Sequence, residues 1–196
     1  MKIIFATGNQ GKMKEVKMIL SDLGCEILSM KEAGIDIDIV EDGKTFEENA
    51  MIKAQAVAKL QKAIVLADDS GLEVDYLNKE PGIYSSRYLG EDTSYDEKNR
   101  YIIKQLEGVN KEKRTARFVC AIAGIMPDGE TFTTRAAIEG YIGTEAKGNN
   151  GFGYDPIFYV PEYHCTTAEL TLEQKNKISH RGKALQKAKQ EIKKLL

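Results

Sequence analysis

Lys2-Ile3-Ile4-Phe5-Ala6-Thr7-Gly8-Asn9-Gln10-Gly11-Lys12 holds the fold class in its first dozen residues. Residues 2–6 form an apolar run of strand length, and residues 7–12 end it with two glycines. Val16, Ile19, Leu20 and Leu23 then recur at helical spacing up to Gly24, a stop signal. The order is strand, glycine loop, helix.

Working outward, residues 25–29 read as a second strand. Thr45-Phe46-Glu47-Glu48 has the form of a capping box, the Thr45 hydroxyl accepting from the Glu48 amide while the Glu48 carboxylate reaches back. The Ala- and Lys-rich stretch that follows favours helix as far as Lys62. Residues 63–67 form a buried strand expected to stop at Asp68-Asp69-Ser70-Gly71, and residues 72–75 alternate like a separate, half-buried strand. A second capping box, Ser94-Tyr95-Asp96-Glu97, opens a helix to about Leu106. Two long β-type runs, 116–126 and 130–142, flank Pro127-Asp128-Gly129, a hairpin turn. A glycine-dense loop (148–156), a short strand (157–160), a cap at Thr171 and a final helix from His180 to Leu195 complete the chain. Helices, short parallel-type strands and one long hairpin predict an α/β fold with a mixed sheet, in a single domain over residues 1–196.

The composition is that of a globular protein, with 42% apolar and 30% charged residues. Its 28 basic and 30 acidic residues leave a net charge of -2, which gives no long-range attraction for nucleic acid or an anionic membrane. Any phosphate must be held by a local pocket of Lys and Arg. Cys25, Cys120 and Cys165 are odd in number and widely spaced, so neither a disulfide framework nor a zinc knuckle is indicated. With no signal-peptide core and no run of membrane-span length, a cytoplasmic protein is expected.

Four segments hold residues suited to chemistry. Thr7 to Lys12 lies where a strand hands over to a helix, where outward-facing amides and the helix dipole favour an anion. Gly8 and Gly11 allow close approach, and Lys12 adds charge; neither a Walker A loop nor a dinucleotide fingerprint is present. The acids Asp68 and Asp69 are costly to desolvate without a cation or donors, and carboxylates suit Mg²⁺. Glu41 is a candidate third carboxylate, and Lys53 a candidate partner from the helix that Thr45 opens. Gly148-Asn149-Asn150-Gly151-Phe152-Gly153-Tyr154-Asp155-Pro156 keeps the backbone thin beside Phe152, where a base can stack. Lys175 and Ser179-His180-Arg181-Gly182 supply donors for a keto oxygen or a phosphate.

Together and in this order, the segments resemble the inosine triphosphate pyrophosphatase family, the dITP/XTP pyrophosphatases also called the Ham1 or RdgB group. The matching pieces are Thr7-Gly8-Asn9 with Lys12, Thr45-Phe46-Glu47-Glu48-Asn49-Ala50, Ala67-Asp68-Asp69-Ser70-Gly71-Leu72, Pro81-Gly82-Ile83-Tyr84-Ser85-Ser86-Arg87-Tyr88, Gly151-Phe152-Gly153-Tyr154-Asp155-Pro156 and Ser179-His180-Arg181-Gly182. The resemblance implies an elongated two-lobed α/β fold with a long mixed sheet and a cleft between the lobes, and a homodimer. It also implies Mg²⁺-dependent hydrolysis of purine nucleoside triphosphates (ITP, dITP and XTP) to the monophosphate and pyrophosphate. Carried onto this chain, Asp69 accepts the proton of the attacking water and binds metal, with Glu41 and Asp68 helping. Thr7, Gly8, Asn9, Gln10, Gly11 and Lys12, with Lys53, grip the triphosphate. Ser70, Phe152, Gly153, Tyr154, Asp155, Lys175, His180 and Arg181 hold the nucleoside. The rival expectations are a pyrophosphatase for modified pyrimidine or canonical triphosphates and a non-catalytic nucleotide sensor.

Overall fold

A computed structural model describes residues 1–195. The elements are β1 (Lys2–Phe5), α1 (Gln10–Ile19), β2 (Glu26–Ser29), α2 (Phe46–Ala58), β3 (Ile64–Val74), α3 (Tyr95–Gln105), β4 (Thr115–Ile125), β5 (Thr131–Ile142), β6 (Phe158–Val160), β7 (Cys165–Thr166), α4 (Leu172–Ile178) and α5 (His180–Leu195). The strands form one mixed sheet in the order β2-β1-β3-β4-β5-β6-β7. β1 pairs in parallel with both β2 and β3, whereas β5–β6 and β6–β7 are antiparallel. This is the expected α/β class.

The chain forms two compact units, and β3, β4 and β5 contribute residues to both. The first comprises Met1–Ser70, Cys120–Ala136 and the chain from His180. Its strands bury side chains on both faces, as central parallel strands do. Ile3, Phe5, Ile64, Leu66, Cys120 and Ile122 pack with Met13 and Val16 of α1 and Ala184, Leu185 and Ala188 of α5. The alternate residues Ile4, Val65, Ala67 and Ala123 pack with Ala50, Ala54 and Val57 of α2. The period of two along a strand thus puts α1 and α5 on one face and α2 on the other.

The second unit, Gly71–Val119 and Ala137–Ser179, has its own core. Leu72 and Val74, Ile102 and Leu106, Phe118, Ile138 and Phe158 form it. Arg114, buried in this unit, donates to the carbonyls of Ile142 at 2.8 Å, Leu106 at 2.5 Å and Gly143 at 2.6 Å. It thereby caps the C-terminal end of α3 and ties it to the end of β5.

Three local expectations need correction. Asp68-Asp69-Ser70-Gly71 does not end a strand: β3 runs through it for 11 residues without a break. The reason is tertiary, since each acid finds charged or polar partners on its own face of the sheet. At Thr45 the hydroxyl does accept from the Glu48 amide at 3.1 Å, but the Glu48 carboxylate accepts from the Lys44 amide rather than from Thr45. α2 ends at Ala58, four residues before Lys62, where exposed lysines no longer cover the core. The capping boxes at Ser94 and Thr171, the latter with Gln174, are complete. The hairpin turn has Gly129 at φ 95° with its amide on the Met126 carbonyl. β7 has no counterpart in the expectations.

Candidate active site

The loop after β1 is built by local hydrogen bonds. The Asn9 side chain caps α1 by accepting from the Lys12 amide at 3.1 Å, and the Thr7 hydroxyl accepts from the Asn9 amide at 3.1 Å. The Gln10 and Gly11 amides stay at the positive end of the helix dipole. A Cβ placed on Gly8 would meet no atom, and Gly8 has no positive φ, so nothing within the chain requires glycine there. A ligand that must lie against the backbone supplies a reason.

Asp68 and Asp69 are neighbours on β3 and therefore point to opposite faces. Asp68 shares the face of Leu66. It is paired with Lys12 at 3.0 Å and with the Arg181 Nε at 3.2 Å, and it accepts from the Ser70 hydroxyl at 3.3 Å. Arg181 spends its other nitrogens on Glu15 of α1 and on the Ser70 Oγ at 2.8 Å. Burial works against the charged form of Asp68, but Lys12, Arg181 and Lys53 outweigh it and hold the carboxyl well below the usual range. Asp68 is a pinned anion.

Asp69 shares the face of Ala67 and α2. Its Oδ2 accepts from the Asn49 Nδ2 at 3.2 Å, its Oδ1 accepts from the Ser70 amide at 3.1 Å, and Lys53 lies 3.7 Å away. Lys53 also binds Glu41 at 3.0 Å, so one ammonium joins two carboxylates. Asn49 and Lys53 are four residues apart on α2 and project on the same side. Burial raises the Asp69 pKa above the ordinary carboxylate value; Glu41 and Asp68 add to the effect, while Lys53 and Lys12 oppose it. Lys53 is itself pushed up, because Asp68, Asp69 and Glu41 outweigh its burial.

The structure therefore separates the expected metal acids. Glu41 and Asp69 share a cation, whereas Asp68 lies on the opposite face with its oxygens engaged. Among the described residues no three His, Cys, Asp or Glu side chains form a ready cage. Mg²⁺ does not need one, since it commonly takes one or two carboxylates and fills its octahedron with water and substrate phosphates. Two carboxylates already converging on a single positive group are a fitting donor set for it.

The remaining residues belong to two places. His180 and Arg181 open α5 in the first unit, where both are buried. Phe152, Gly153, Tyr154, Asp155 and Lys175 lie in the second. There Asp155 and Lys175 form a buried pair at 2.6 Å, and Asp155 also accepts from the Phe152 amide at 2.9 Å and the Thr167 hydroxyl at 2.8 Å. Lys175 stands 4.7 Å over the half-buried Phe152 ring. Tyr154 is buried and donates to the Ser85 carbonyl at 2.6 Å, which fixes it within the unit's own core. Gly151 is required by packing, since at φ 71° a Cβ would fall 2.1 Å from an Asp155 oxygen. Sequence reasoning passed over Glu15, which carries no motif. Asn49 lies in a segment that carries the resemblance but has no role implied for it.

An α/β sheet whose central strand presents a buried, proton-avid carboxylate beside lysines, next to a glycine-opened helix terminus, defines a phosphate-handling protein. The chain matches the Ham1 family over residues 3–191 and belongs to it. It is 50% identical to a dITP/XTP pyrophosphatase of Clostridium perfringens, with 100% of this chain and 98% of that one covered. Its identity with the dITP/XTP pyrophosphatase of Bacillus subtilis is also 50%, over 94% of this chain and 93% of the relative. The Ham1 protein of Staphylococcus aureus superposes with a TM-score of 0.87 at 42% identity, covering 100% of both chains. For a Ham1 protein of Coxiella burnetii the TM-score is 0.88 at 40% identity, with 99% of each chain covered.

Proposed function

We propose that this chain hydrolyses non-canonical purine nucleoside triphosphates, dITP, ITP and XTP, to the monophosphate and pyrophosphate with Mg²⁺ as cofactor. The observation that carries the reading is Asp69, only 7% exposed, raised in proton affinity and facing Lys53, which also binds Glu41. Relatives at 50% identity named dITP/XTP pyrophosphatases support the substrate class.

Glu41 and Asp69 would hold the metal, which when bound draws charge from the phosphate oxygens. Asp69 takes the proton of the water that attacks the α-phosphorus, a role suited to a carboxylate of raised proton affinity. Lys12, Lys53 and the Gln10 and Gly11 amides bind the triphosphate and offset the charge on the departing pyrophosphate. Phe152 offers a face for the base, worth about 1–3 kcal/mol in stacking. The Arg181 donors committed to Glu15, Asp68 and Ser70 make it a positioning residue for Ser70, and His180 stands buried beside it at the start of the same helix.

The test is a product assay with Mg²⁺ on dITP, XTP, dGTP, dATP and dUTP. Faster turnover of dITP and XTP with release of pyrophosphate is expected. Equal rates on all five refute the base assignment, and release of diphosphate with inorganic phosphate refutes the reaction. The reading includes a cytoplasmic homodimer. In support, the second unit leaves Tyr76, Tyr84, Leu89, Tyr95 and Tyr101 more than a third exposed, and no described helix is long and apolar enough to cross a membrane. Light scattering on the purified chain checks the dimer.

A further inference from the structure

We infer that Asn49 is a positioning residue that sets the spacing of the Glu41 and Asp69 carboxylates for a divalent cation. The inference rests on the metal pair proposed above and extends it to a side chain with no chemistry of its own.

Asn49 is fully buried in the first turn of α2. Asparagine is a poor helix former, and a fully buried amide is costly unless both its ends are bonded. Here both are. Nδ2 donates to the Asp69 Oδ2 at 3.2 Å, and Oδ1 accepts from the Gly43 amide at 2.8 Å. Gly43 stands two residues after Glu41, so one planar amide spans the strand that bears one carboxylate and the loop that bears the other. Lys53, one helical turn along, spans Asp69 and Glu41 themselves. The two bridges differ in kind. Lys53 is a cation and competes with any metal for the same oxygens. Asn49 is neutral and bonds Oδ2 of Asp69 and the Gly43 amide, so it carries no charge that competes with a cation. It is the bridge able to hold the geometry through binding.

Gly43 gives the same reading from the other side. A Cβ there would fall 2.6 Å from the Asn49 Oδ1, 2.8 Å from the Glu48 Cβ and 3.0 Å from the Asn49 amide nitrogen. Gly43 has no positive φ, so its backbone would accept alanine. What glycine secures there is the close approach of loop and amide. Residues that orient metal ligands through a hydrogen bond change affinity or activity by about 10–100-fold when removed.

The experiment titrates Mn²⁺ alone into the full-length protein and follows free Mn²⁺ by electron paramagnetic resonance. The proteins are wild type, Asn49→Ala, Gly43→Ala, Glu41→Gln and Thr45→Ala. Thr45→Ala removes the α2 cap without touching either carboxylate, and melting curves calibrate the structural damage. We expect Glu41→Gln to abolish the site, Asn49→Ala and Gly43→Ala each to weaken it about tenfold or more, and Thr45→Ala to leave it unchanged. Gly43→Ala keeps the test open should Asn49→Ala not fold. Wild-type affinity in the Gly43 and Asn49 variants overturns the inference while leaving the metal pair standing, as does an equal loss in Thr45→Ala. Undiminished binding in Glu41→Gln removes the metal pair itself, and the inference with it.

Discussion

Replacing Lys175 by Met strips the buried Asp155 carboxylate of a cationic partner, and the structure gives a size for the damage. The two side chains are 4% and 3% exposed and 2.6 Å apart, so water cannot take over. Breaking a buried pair from one side costs about 3–5 kcal/mol. Asp155 keeps the Phe152 amide and the Thr167 hydroxyl as neutral donors, which places the cost near the lower end, about 3 kcal/mol. At about 2–4 °C per kcal/mol for a chain of this length, the midpoint falls by roughly 6–12 °C. Adding Asp155→Asn removes the orphaned charge but loses one of the two remaining bonds, worth about 1 kcal/mol. The double variant should therefore regain about two-thirds of the loss. Because Asp155 also anchors the Phe152 amide, KM for dITP should rise in Lys175→Met more than kcat falls. Urea and thermal unfolding of wild type, both single variants and the double variant measure the cycle. A Lys175→Met midpoint within about 2 °C of wild type, or a double variant as weak as the sum of the singles, refutes the argument that this pair matters as a desolvated pair.

Asp69→Asn should reduce turnover by about 10²–10⁴-fold, the contribution typical of a positioned base. The same variant should melt higher than wild type near neutral pH in the presence of a chelator. A carboxyl whose folded-state pKa is raised destabilises the fold above that pKa, and the penalty disappears as pH falls towards the unfolded value, so the two melting curves should converge in acid. In the wild type, activity should fall on the acid side at a pH above that of an ordinary aspartate, and a limb at the ordinary aspartate position removes Asp69 as the proton acceptor. Gly151→Ala should be destabilising by about 1–3 kcal/mol, since it combines strain at positive φ with overlap on Asp155, and differential scanning calorimetry reads the loss directly.

Much of the fold was legible because its signals are local. The Ser94 and Thr171 caps and the Pro127-Asp128-Gly129 turn each depend on a few adjacent residues and appear where the sequence puts them, whereas Gly24 ends a 3-10 turn over Ser21–Leu23 and α1 itself stops at Ile19. Asp68 to Gly71 misled for the opposite reason. Asp, Ser and Gly in a row have the composition of a turn, yet Lys12 and Arg181 on one face and Asn49 and Lys53 on the other keep the chain extended. Those four partners come from three helices, and no local window contains them. Glu15 and Asn49 went unassigned on the same account. A polar residue in a helix is ordinarily solvated, and only the packing of α1 and α2 on opposite faces shows that these two are buried and bonded.

The alternation of a β-strand gives two adjacent aspartates different chemistry. Asp68 meets Lys12 and Arg181 directly, and their charges keep it ionised in spite of burial. Asp69, one residue on, meets an amide, a backbone N–H and one lysine shared with Glu41, and for it burial prevails. A group held as a permanent anion cannot collect a proton near neutral pH, and a group that is poised to collect one makes a poor structural anchor. Keeping the two side chains on separate faces gives each the environment that its role needs. A turn at this position, as the composition suggests, would let both carboxylates swing towards the same lysines and remove the difference. The continuity of β3 through Asp68-Asp69-Ser70 thus serves the proposed chemistry as well as the sheet.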